Sequence, residues 1–176
     1  DYVNWIDNGK PAIDWEEAMA NENAPMTKMS LSARGGTGVS DFYASMNYNK
    51  TEATVIGAQF EQYSGLLNYR RDISDALTFD AKLNISNTRQ NPVIEQSAYF
   101  ANPIAAKYFT PNIYKPYNDD GTGNIDLPGS VFNPVYLVNH DINYHDMTRA
   151  NGYTSLDWEI IENLNFSTTM SGDFTI

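Results

Sequence analysis

Residues 77–86 read LTFDAKLNIS, and apolar and polar side chains alternate along this stretch without interruption. The odd-numbered positions, from Leu77 to Ile85, are apolar, and the even-numbered positions carry hydroxyl, amide or charged groups. Because successive side chains of a β-strand point to opposite faces, this period predicts a strand with one apolar and one polar face. Residues 164–176, LNFSTTMSGDFTI, repeat the alternation, here with most apolar residues at even-numbered positions.

The same period recurs along the chain and predicts strands whose ends are fixed only to within a few residues. The predicted strands are Met26–Gly36, Asp41–Lys50, Gln59–Arg71, Leu77–Thr88, Met147–Ile160 and Leu164–Ile176. Leu66 is the clear exception, because it is an apolar residue at a position of the polar face.

The connections between the predicted strands alternate in length. Short, turn-rich links at 36–40, 72–76 and 161–163 alternate with longer links at Thr51–Ala58 and Arg89–Asp146. Transmembrane β-barrels show this asymmetry, with short periplasmic turns and long extracellular loops. All eight prolines lie outside the predicted strands, as expected because proline cannot donate a hydrogen bond to a β-ladder. The pattern favours an all-β, antiparallel, up-and-down wall of a transmembrane β-barrel.

One face of such a wall meets lipid, and the other faces the interior of the barrel. The residues expected on the lipid face are Met29, Leu31, Phe42, Met46, Leu67, Phe79, Leu83, Trp158, Phe166 and Phe174. The residues expected to face the lumen or a plug are Lys28, Arg34, Asn47, Asn68, Asp80, Lys82, Asn84, Arg149, Asp157 and Asp173. A soluble β-sandwich alternates in the same way but turns its apolar face inward, so it is the competing interpretation.

The composition limits the classes of function. No segment approaches the roughly 18 consecutive apolar residues that a membrane helix needs. A mean hydropathy of -0.48 is compatible with a barrel wall, because lumen-facing residues dilute the apolar ones. The net charge of -11 and the lack of a basic cluster argue against nucleic-acid binding. Cysteine is absent, which excludes disulfides and thiolate chemistry. No signal peptide is recognised, and a mature outer-membrane protein would have lost it.

Several short motifs follow one another along the chain: IDWEEA at 13–18, LSARGG at 31–36, FYASMNY at 42–48, QYSGLLNY at 62–69, NDDGT at 118–122 and FNP at 132–134. In their order and spacing these motifs resemble the SusC/RagA-type TonB-dependent transporters of Bacteroidota outer membranes. The resemblance covers nearly the whole chain. Leu66 departs from the family, in which an arginine is usual at that position.

The resemblance implies a barrel of about 22 strands with an internal plug, of which this chain is a fragment. The expected parts are an extracellular loop segment at 1–25, four strands at 26–88, a long extracellular loop at 89–146 and two strands at 147–176. The predicted strands are too few to close, because single-chain barrels begin at roughly eight strands. Neither a plug nor a TonB-contacting box is recognised in the chain.

The resemblance further implies TonB-dependent import of an oligosaccharide or a peptide across the cell outer membrane. The implied partners are a SusD-like surface lipoprotein on the extracellular rim and the TonB complex, which would be reached through parts outside this chain. A soluble β-sandwich serving as a binding module or adhesin and a passive porin-like channel are the alternatives. No catalytic arrangement or cofactor motif is recognised, so we do not expect an enzyme.

The long loop is rich in aromatic residues. The candidate contacts with a ligand or partner are Tyr99, Phe100, Tyr108, Phe109, Tyr114, Tyr117, Phe132 and Tyr136. Their rings either form a stacking surface for a ligand or make a local core that keeps the loop ordered. Long loops are usually functional or disordered, and the high apolar content argues against disorder.

Two loop segments contain metal-ligand residue types without the spacing of a known site. His140–Asp146 holds both histidines of the chain, but in a strand they would point to opposite sides, which favours a polar loop over a zinc site. Residues 119–126, DDGTGNID, resemble a calcium loop. A calcium loop ends on a glutamate where this chain has Ser130, so a turn is favoured and no metal site is predicted.

Overall fold

A computed structural model describes residues 2–9, 12–93, 102–125, 127 and 132–176. The strands form one six-stranded sheet in the order β1-β2-β3-β4-β5-β6. Their bounds are β1 Met26–Thr37, β2 Ser40–Glu52, β3 Gln59–Ser74, β4 Leu77–Asn91, β5 His145–Ile161 and β6 Leu164–Thr175. The described residues also form short helices, which are α1 Tyr2–Asp7, α2 Trp15–Met19, α3 Pro103–Phe109 and α4 Pro134–His140.

The chain divides into two compact units. The first, which we call the loop unit, comprises Asp1–Pro25, Thr51–Gln59 and Asn91–Tyr144. The second, which we call the wall, comprises Met26–Lys50, Phe60–Gln90 and His145–Ile176.

The strands of the wall agree with the alternation in the sequence. Each predicted strand is present, and most extend by one to three residues beyond the predicted ends. The largest extension is in the β4–β5 ladder, where Arg89 pairs with Asp146 and Gln90 pairs with His145. The sequence predicts these four residues in the long loop. The backbone ladder continues there although the apolar alternation has ended, since ladder hydrogen bonds do not depend on the side chain.

The register of the last three strands assigns the faces of the sheet. Phe79 pairs with Leu156 and Asn84 pairs with Asn151 in the β4–β5 ladder, while Trp158 pairs with Phe166 in the β5–β6 ladder. Directly opposed residues of an antiparallel pair point to the same face. The apolar and polar sets therefore lie on opposite faces, as the sequence predicts.

Side-chain contacts extend the same division to β2 and β3. The rings of Tyr48 and Tyr63 lie 4.9 Å apart on the apolar face, and those of Tyr69 and Phe79 lie 6.4 Å apart. On the polar face, the amide of Asn47 donates to the hydroxyl of Ser64 at 3.4 Å.

The wall buries none of the residues in its six strands. The apolar face exposes large side chains such as Leu31, Met46 and Met170, the last of which is 77% exposed. Within the described residues the strands form one sheet and no second sheet covers this face, so the β-sandwich interpretation has no support there. The all-β antiparallel wall, open at both edges, is confirmed.

The loop unit has a hydrophobic core of its own. The core consists of Trp15 and Met19 from α2, Leu127 from the loop before α4, and Val135 from α4 itself. Val135 is fully inaccessible to solvent. Partly buried apolar side chains pack around this core, namely Ile13, Ile56, Tyr114 and Val138. No helix in the described part of the chain is long and apolar enough to span a membrane.

Candidate functional site

The loop unit gathers three segments that are distant in the sequence. The indole nitrogen of Trp15 donates to the carbonyl oxygen of Pro111 at 3.4 Å, and the backbone nitrogen of Ile13 donates to Asn112 at 2.8 Å. The segment before β1 also binds the β2–β3 connection, because the backbone nitrogen of Asn21 donates to Thr54 at 2.7 Å. The result is a scaffold from which exposed aromatic side chains project.

Helix α2 begins directly after Asp14, which caps its first turn. The carboxylate of Asp14 accepts hydrogen bonds from the backbone nitrogens of Glu16 at 2.8 Å and Glu17 at 3.2 Å. Aspartate is a favoured N-cap because it satisfies backbone donors of the first turn. The cap fixes the direction of α2, and its apolar residues Trp15 and Met19 then enter the core.

Asn133 connects α4 to the preceding loop and is itself buried. Its side-chain oxygen accepts from the backbone nitrogen of Val135 at 3.0 Å, which caps the helix. Its side-chain nitrogen donates to the carbonyl oxygens of Pro116 at 2.7 Å and Asn124 at 2.8 Å. Pro134 follows at the first helical position, where its missing backbone donor costs nothing.

The DG motif forms a hairpin turn between Tyr117 and Gly123. The carboxylate of Asp120 accepts hydrogen bonds from the backbone nitrogen of Thr122 at 2.9 Å and from its hydroxyl at 2.6 Å. These bonds hold the pKa of Asp120 below its ordinary value, the side-chain bond contributing most. Gly121 has a φ of 84°, which favours glycine. The geometry is that of a closed turn, as the sequence predicts.

The two histidines lie in different elements. His140 ends α4, where its ring stacks on Tyr136 at 3.9 Å and its Nδ1 contacts the carbonyl oxygen of Tyr136 at 2.8 Å. His145 begins β5. Among the described residues, no group of three or more histidine, aspartate or glutamate side chains is arranged to hold a metal ion.

The predicted aromatic contacts fall into three sets. Tyr99 and Phe100 lie outside the described residues. Tyr114 is partly buried against the core, and Tyr136 is partly covered by His140. The exposed members are Tyr108, Phe109, Tyr117 and Phe132, with Tyr108 the most exposed at 74%. The first aromatic pair stays a prediction, whereas the described rings divide between packing and exposure.

Two residues outside the predicted aromatic set are also exposed on the loop unit. Ile104 is an exposed apolar residue on α3, the same short helix that carries Tyr108 and Phe109. His140 covers the ring of Tyr136 and is itself exposed, so it presents a ring to solvent. The signal for α4 was present in Asn133 followed by proline, but the helices are too short to show a helical apolar period.

The polar face of the wall carries paired charges. Arg149 of β5 donates to Asp173 of β6 through two nitrogens, at 3.2 and 2.6 Å. The hydroxyl of Ser167 donates to the carboxylate of Asp157 on the same face. Both pairs join neighbouring strands, which is how cross-strand polar contacts support a sheet.

Comparisons with known proteins agree with this architecture. No protein-family model matches the chain. In sequence it is 29% identical over 171 residues to TonB-dependent receptor P3 of Formosa agariphila, a match covering 92% of this chain and 16% of the relative. In structure it is similar to the RagAB peptide transporter, with a TM-score of 0.70 and 22% identity over 93% of this chain and 19% of that chain. The RagAB peptide importer in its closed-closed state gives a TM-score of 0.71 at 21% identity with the same coverage.

The fold and the two faces of its sheet define the chain as part of the wall of a β-barrel. The resemblance to SusC/RagA-type TonB-dependent transporters, predicted from the motifs, is confirmed by these comparisons. The similar proteins are named as a receptor and as transporters rather than as enzymes. The chain spans less than a fifth of the length of each of them.

Proposed function

We propose that the chain forms part of the barrel wall and extracellular loops of a TonB-dependent outer-membrane importer. The whole protein would take up an oligosaccharide or a peptide together with a SusD-like lipoprotein. The observation that carries the proposal is the division of one open sheet into an exposed apolar face and a polar face. A sheet of this kind is stable where lipid covers one face and a hydrated lumen the other.

The polar face suits the interior of a transporter. Arg149, Asp173 and Asp157 meet partners on neighbouring strands there, and each would be costly to place in hydrocarbon. The apolar face between the strand ends carries the residues predicted to meet lipid, including Leu83 and Trp158. This arrangement supports a location in the outer membrane.

The loop unit suits contact with a partner protein. Its surface exposes Ile104, Tyr108, Phe109 and Phe132, although the unit buries other apolar residues in a core. Exposed apolar groups that are retained beside a satisfied core are typical of interaction surfaces. Tyrosine and phenylalanine are enriched at the centres of protein interfaces. We assign this surface to the SusD-like lipoprotein implied by the resemblance.

Uptake measurements test the importer. Cells that carry the full-length protein should accumulate labelled oligopeptides or oligosaccharides, and accumulation should stop when TonB is deleted. The similarity to peptide transporters makes oligopeptides the first class to try. Uptake that continues at the same rate without TonB would indicate a passive channel and contradict the proposal.

Point substitutions test the partner more sharply than a deletion. Removing residues 108–129 would also remove Leu127 from the core, so a loss of function would be ambiguous. The double variant Tyr108→Ala with Phe132→Ala removes two exposed rings and should reduce co-purification of the lipoprotein. The control is Lys115→Ala with Asp119→Ala, which removes an exposed ion pair of the same unit without changing its net charge. Equal co-purification for both double variants would refute the assignment.

A further inference from the structure

Polar and charged side chains interrupt the apolar face of the wall at one level. We call this group the rim cluster, and its members are Tyr48, Lys50, Glu61, Tyr63, Asn87, Arg89 and Asp146. By parity along their strands these residues lie on the same face as Met46, Leu83 and Ala150. They come from β2, β3, β4 and β5. The cluster is therefore a row across four strands rather than a single intruding charge.

The first half of the rim cluster centres on Glu61. Its carboxylate accepts hydrogen bonds from the hydroxyls of Tyr48 and Tyr63, both at 2.9 Å. The two rings lie 4.9 Å apart and tilted by 40°. Lys50 and Arg89 also act electrostatically on Glu61 as opposite charges. A carboxylate held in this way by a pair of tyrosines belongs at a polar boundary, because hydrocarbon would penalise it strongly.

The second half centres on Asp146. One carboxylate oxygen accepts from the amide of Asn87 at 2.8 Å, and the other binds the guanidinium of Arg89 at 2.9 Å. The Arg89 side chain is 50% exposed. On the outward face of a barrel wall, an ion pair is stable in the headgroup layer, because water and polar headgroups solvate its charges there.

From the rim cluster to the opposite end of β5, the uncharged part of the apolar face is as long as one hydrocarbon layer is thick. On β5 the same face is uncharged from Ala150 to Ile160. These ten steps correspond to about 33 Å along the strand. A strand tilt of about 40° reduces this length to about 25 Å along the membrane normal, which is the height of the apolar band of outer-membrane barrels.

We propose that the rim cluster is a contact site for lipid headgroups and fixes the depth of the wall in the membrane, an inference that rests on the proposed function. The hydrocarbon ends between Ile85 and Asn87 on β4 and between Ala150 and Thr148 on β5. The phosphate and hydroxyl groups of the lipid headgroups meet Arg89 and the tyrosine pair at this row. The Arg89–Asp146 pair is neutral as a whole and offers both a donor and an acceptor, so it can form hydrogen bonds with headgroups that carry acceptors and donors.

Site-directed spin labelling of the full-length protein in phospholipid vesicles tests the depth. Labels at Leu83, Ala150 and Thr148 report the collision rate with oxygen, which concentrates in hydrocarbon, and with a water-soluble nickel complex. We expect hydrocarbon behaviour at Leu83 and Ala150 and a several-fold rise in nickel accessibility at Thr148. A label at Asn84, on the polar face, is the aqueous reference.

The double variant Arg89→Leu with Asp146→Leu tests whether the rim cluster sets this depth. Without the ion pair, the apolar face lengthens and the label at Thr148 should lose most of its nickel accessibility. The matched control is Asn84→Leu with Asn151→Leu, a directly opposed pair on the polar face, which should leave the Thr148 label unchanged.

The outcomes separate the two proposals. Nickel accessibility at Leu83 equal to that at Asn84 would show that the apolar face does not meet lipid and would overturn both. Hydrocarbon behaviour at Leu83 with an equally deep label at Thr148 in the unsubstituted protein would overturn the rim cluster alone. An unchanged Thr148 label in the Arg89→Leu, Asp146→Leu variant would also overturn it.

Discussion

The loop unit and the wall hold their structures in different ways. In the loop unit, Trp15 is 2% exposed and Val135 is fully buried, so apolar side chains from separate segments shield one another from water. In the wall, none of the residues in the six strands is buried, although the apolar face carries side chains as large as those of the loop core. The loop unit therefore gains stability from burial within the chain. The wall depends on its backbone ladder and on a surrounding that covers its apolar face.

This difference makes the two units separable by experiment. Substitutions in the core of the loop unit should disturb that unit and leave the ladder intact. Substitutions on the apolar face of the wall should act where a charge meets lipid or where an added side chain overlaps the neighbouring strand. The following expectations run from the largest effect to the smallest.

Trp15→Ala should destabilise the loop unit by about 3–5 kcal/mol, because it removes the largest side chain of a small core. The substitution also leaves the carbonyl oxygen of Pro111 without its indole donor. Hydrogen exchange of the full-length protein should show faster exchange in α2 and around residues 111–114. Tyr108→Ala, at an exposed position, is the control. Unchanged protection in Trp15→Ala would mean that this core does not hold the loop unit together.

Leu83→Arg should destabilise the folded wall in lipid by about 1–3 kcal/mol, because a charge costs about 2–4 kcal/mol at the middle of the bilayer and less towards its surfaces, and Leu83 lies between the two. The adjacent residue supplies the control, because Asn84→Arg places the same side chain on the polar face. Urea titration in vesicles, followed by heat-modifiable gel migration, measures the folded fraction. If both variants unfold at the same urea concentration, the assignment of the faces to lipid and lumen is wrong.

Gly152→Ala should destabilise the β4–β5 ladder by about 1–3 kcal/mol, the usual cost of inserting a methyl group where neighbouring atoms leave no space for it. A Cβ at Gly152 would overlap the carbonyl oxygen of Lys82 and lie 3.3 Å from Cα of Leu83. Gly172 pairs directly with Gly152 but has open space around its Cβ position. Gly172→Ala should therefore leave the urea midpoint nearly unchanged, and a reversed order of the two midpoints would refute the register.

Asn133→Ala should cost the loop unit about 1–3 kcal/mol, because the carbonyl oxygens of Pro116 and Asn124 lose a buried donor and α4 loses its cap. Asn139→Ala is the matched control on the same helix, where the side chain is exposed. Limited proteolysis between residues 116 and 133 should accelerate in the first variant only. Similar cleavage rates would show that Asn133 does not hold this loop.

The hairpin turn at Asp120 should respond to acid. Its pKa is lowered in the folded chain by hydrogen bonds from Thr122. The carboxylate therefore stabilises the turn above the ordinary aspartate pKa of about 3.9, and this contribution is lost as the pH falls through the lower folded-state pKa. NMR titration of the Asp120 carboxyl should show the shift. Thr122→Val removes the hydroxyl donor and should raise the pKa towards the ordinary value.

The alternation of side chains was enough to predict the wall, including its faces. Residues such as Phe79 and Asn84 reveal their face locally, because strand geometry sends neighbouring side chains to opposite sides whatever the rest of the chain does. The motifs around residues 31–36 and 42–48 likewise predicted the resemblance that the comparisons confirm. The predicted aromatic surface was only partly recoverable, since exposure separates Tyr108 from Tyr114 although both belong to one aromatic-rich stretch.

Local sequence carries no information about which distant segments meet, and this limit explains what was missed. Trp15 forms a hydrogen bond with Pro111, which is 96 residues away in the sequence. Val135 enters the same core from a helix of seven residues, which is too short to show an apolar period. The polar row of Glu61, Arg89 and Asp146 likewise becomes a cluster only when the register brings β3, β4 and β5 side by side. The period along one strand is enough to assign each residue to a face. Contacts between segments depend on how the whole chain folds, and both the loop core and the rim cluster consist of such contacts.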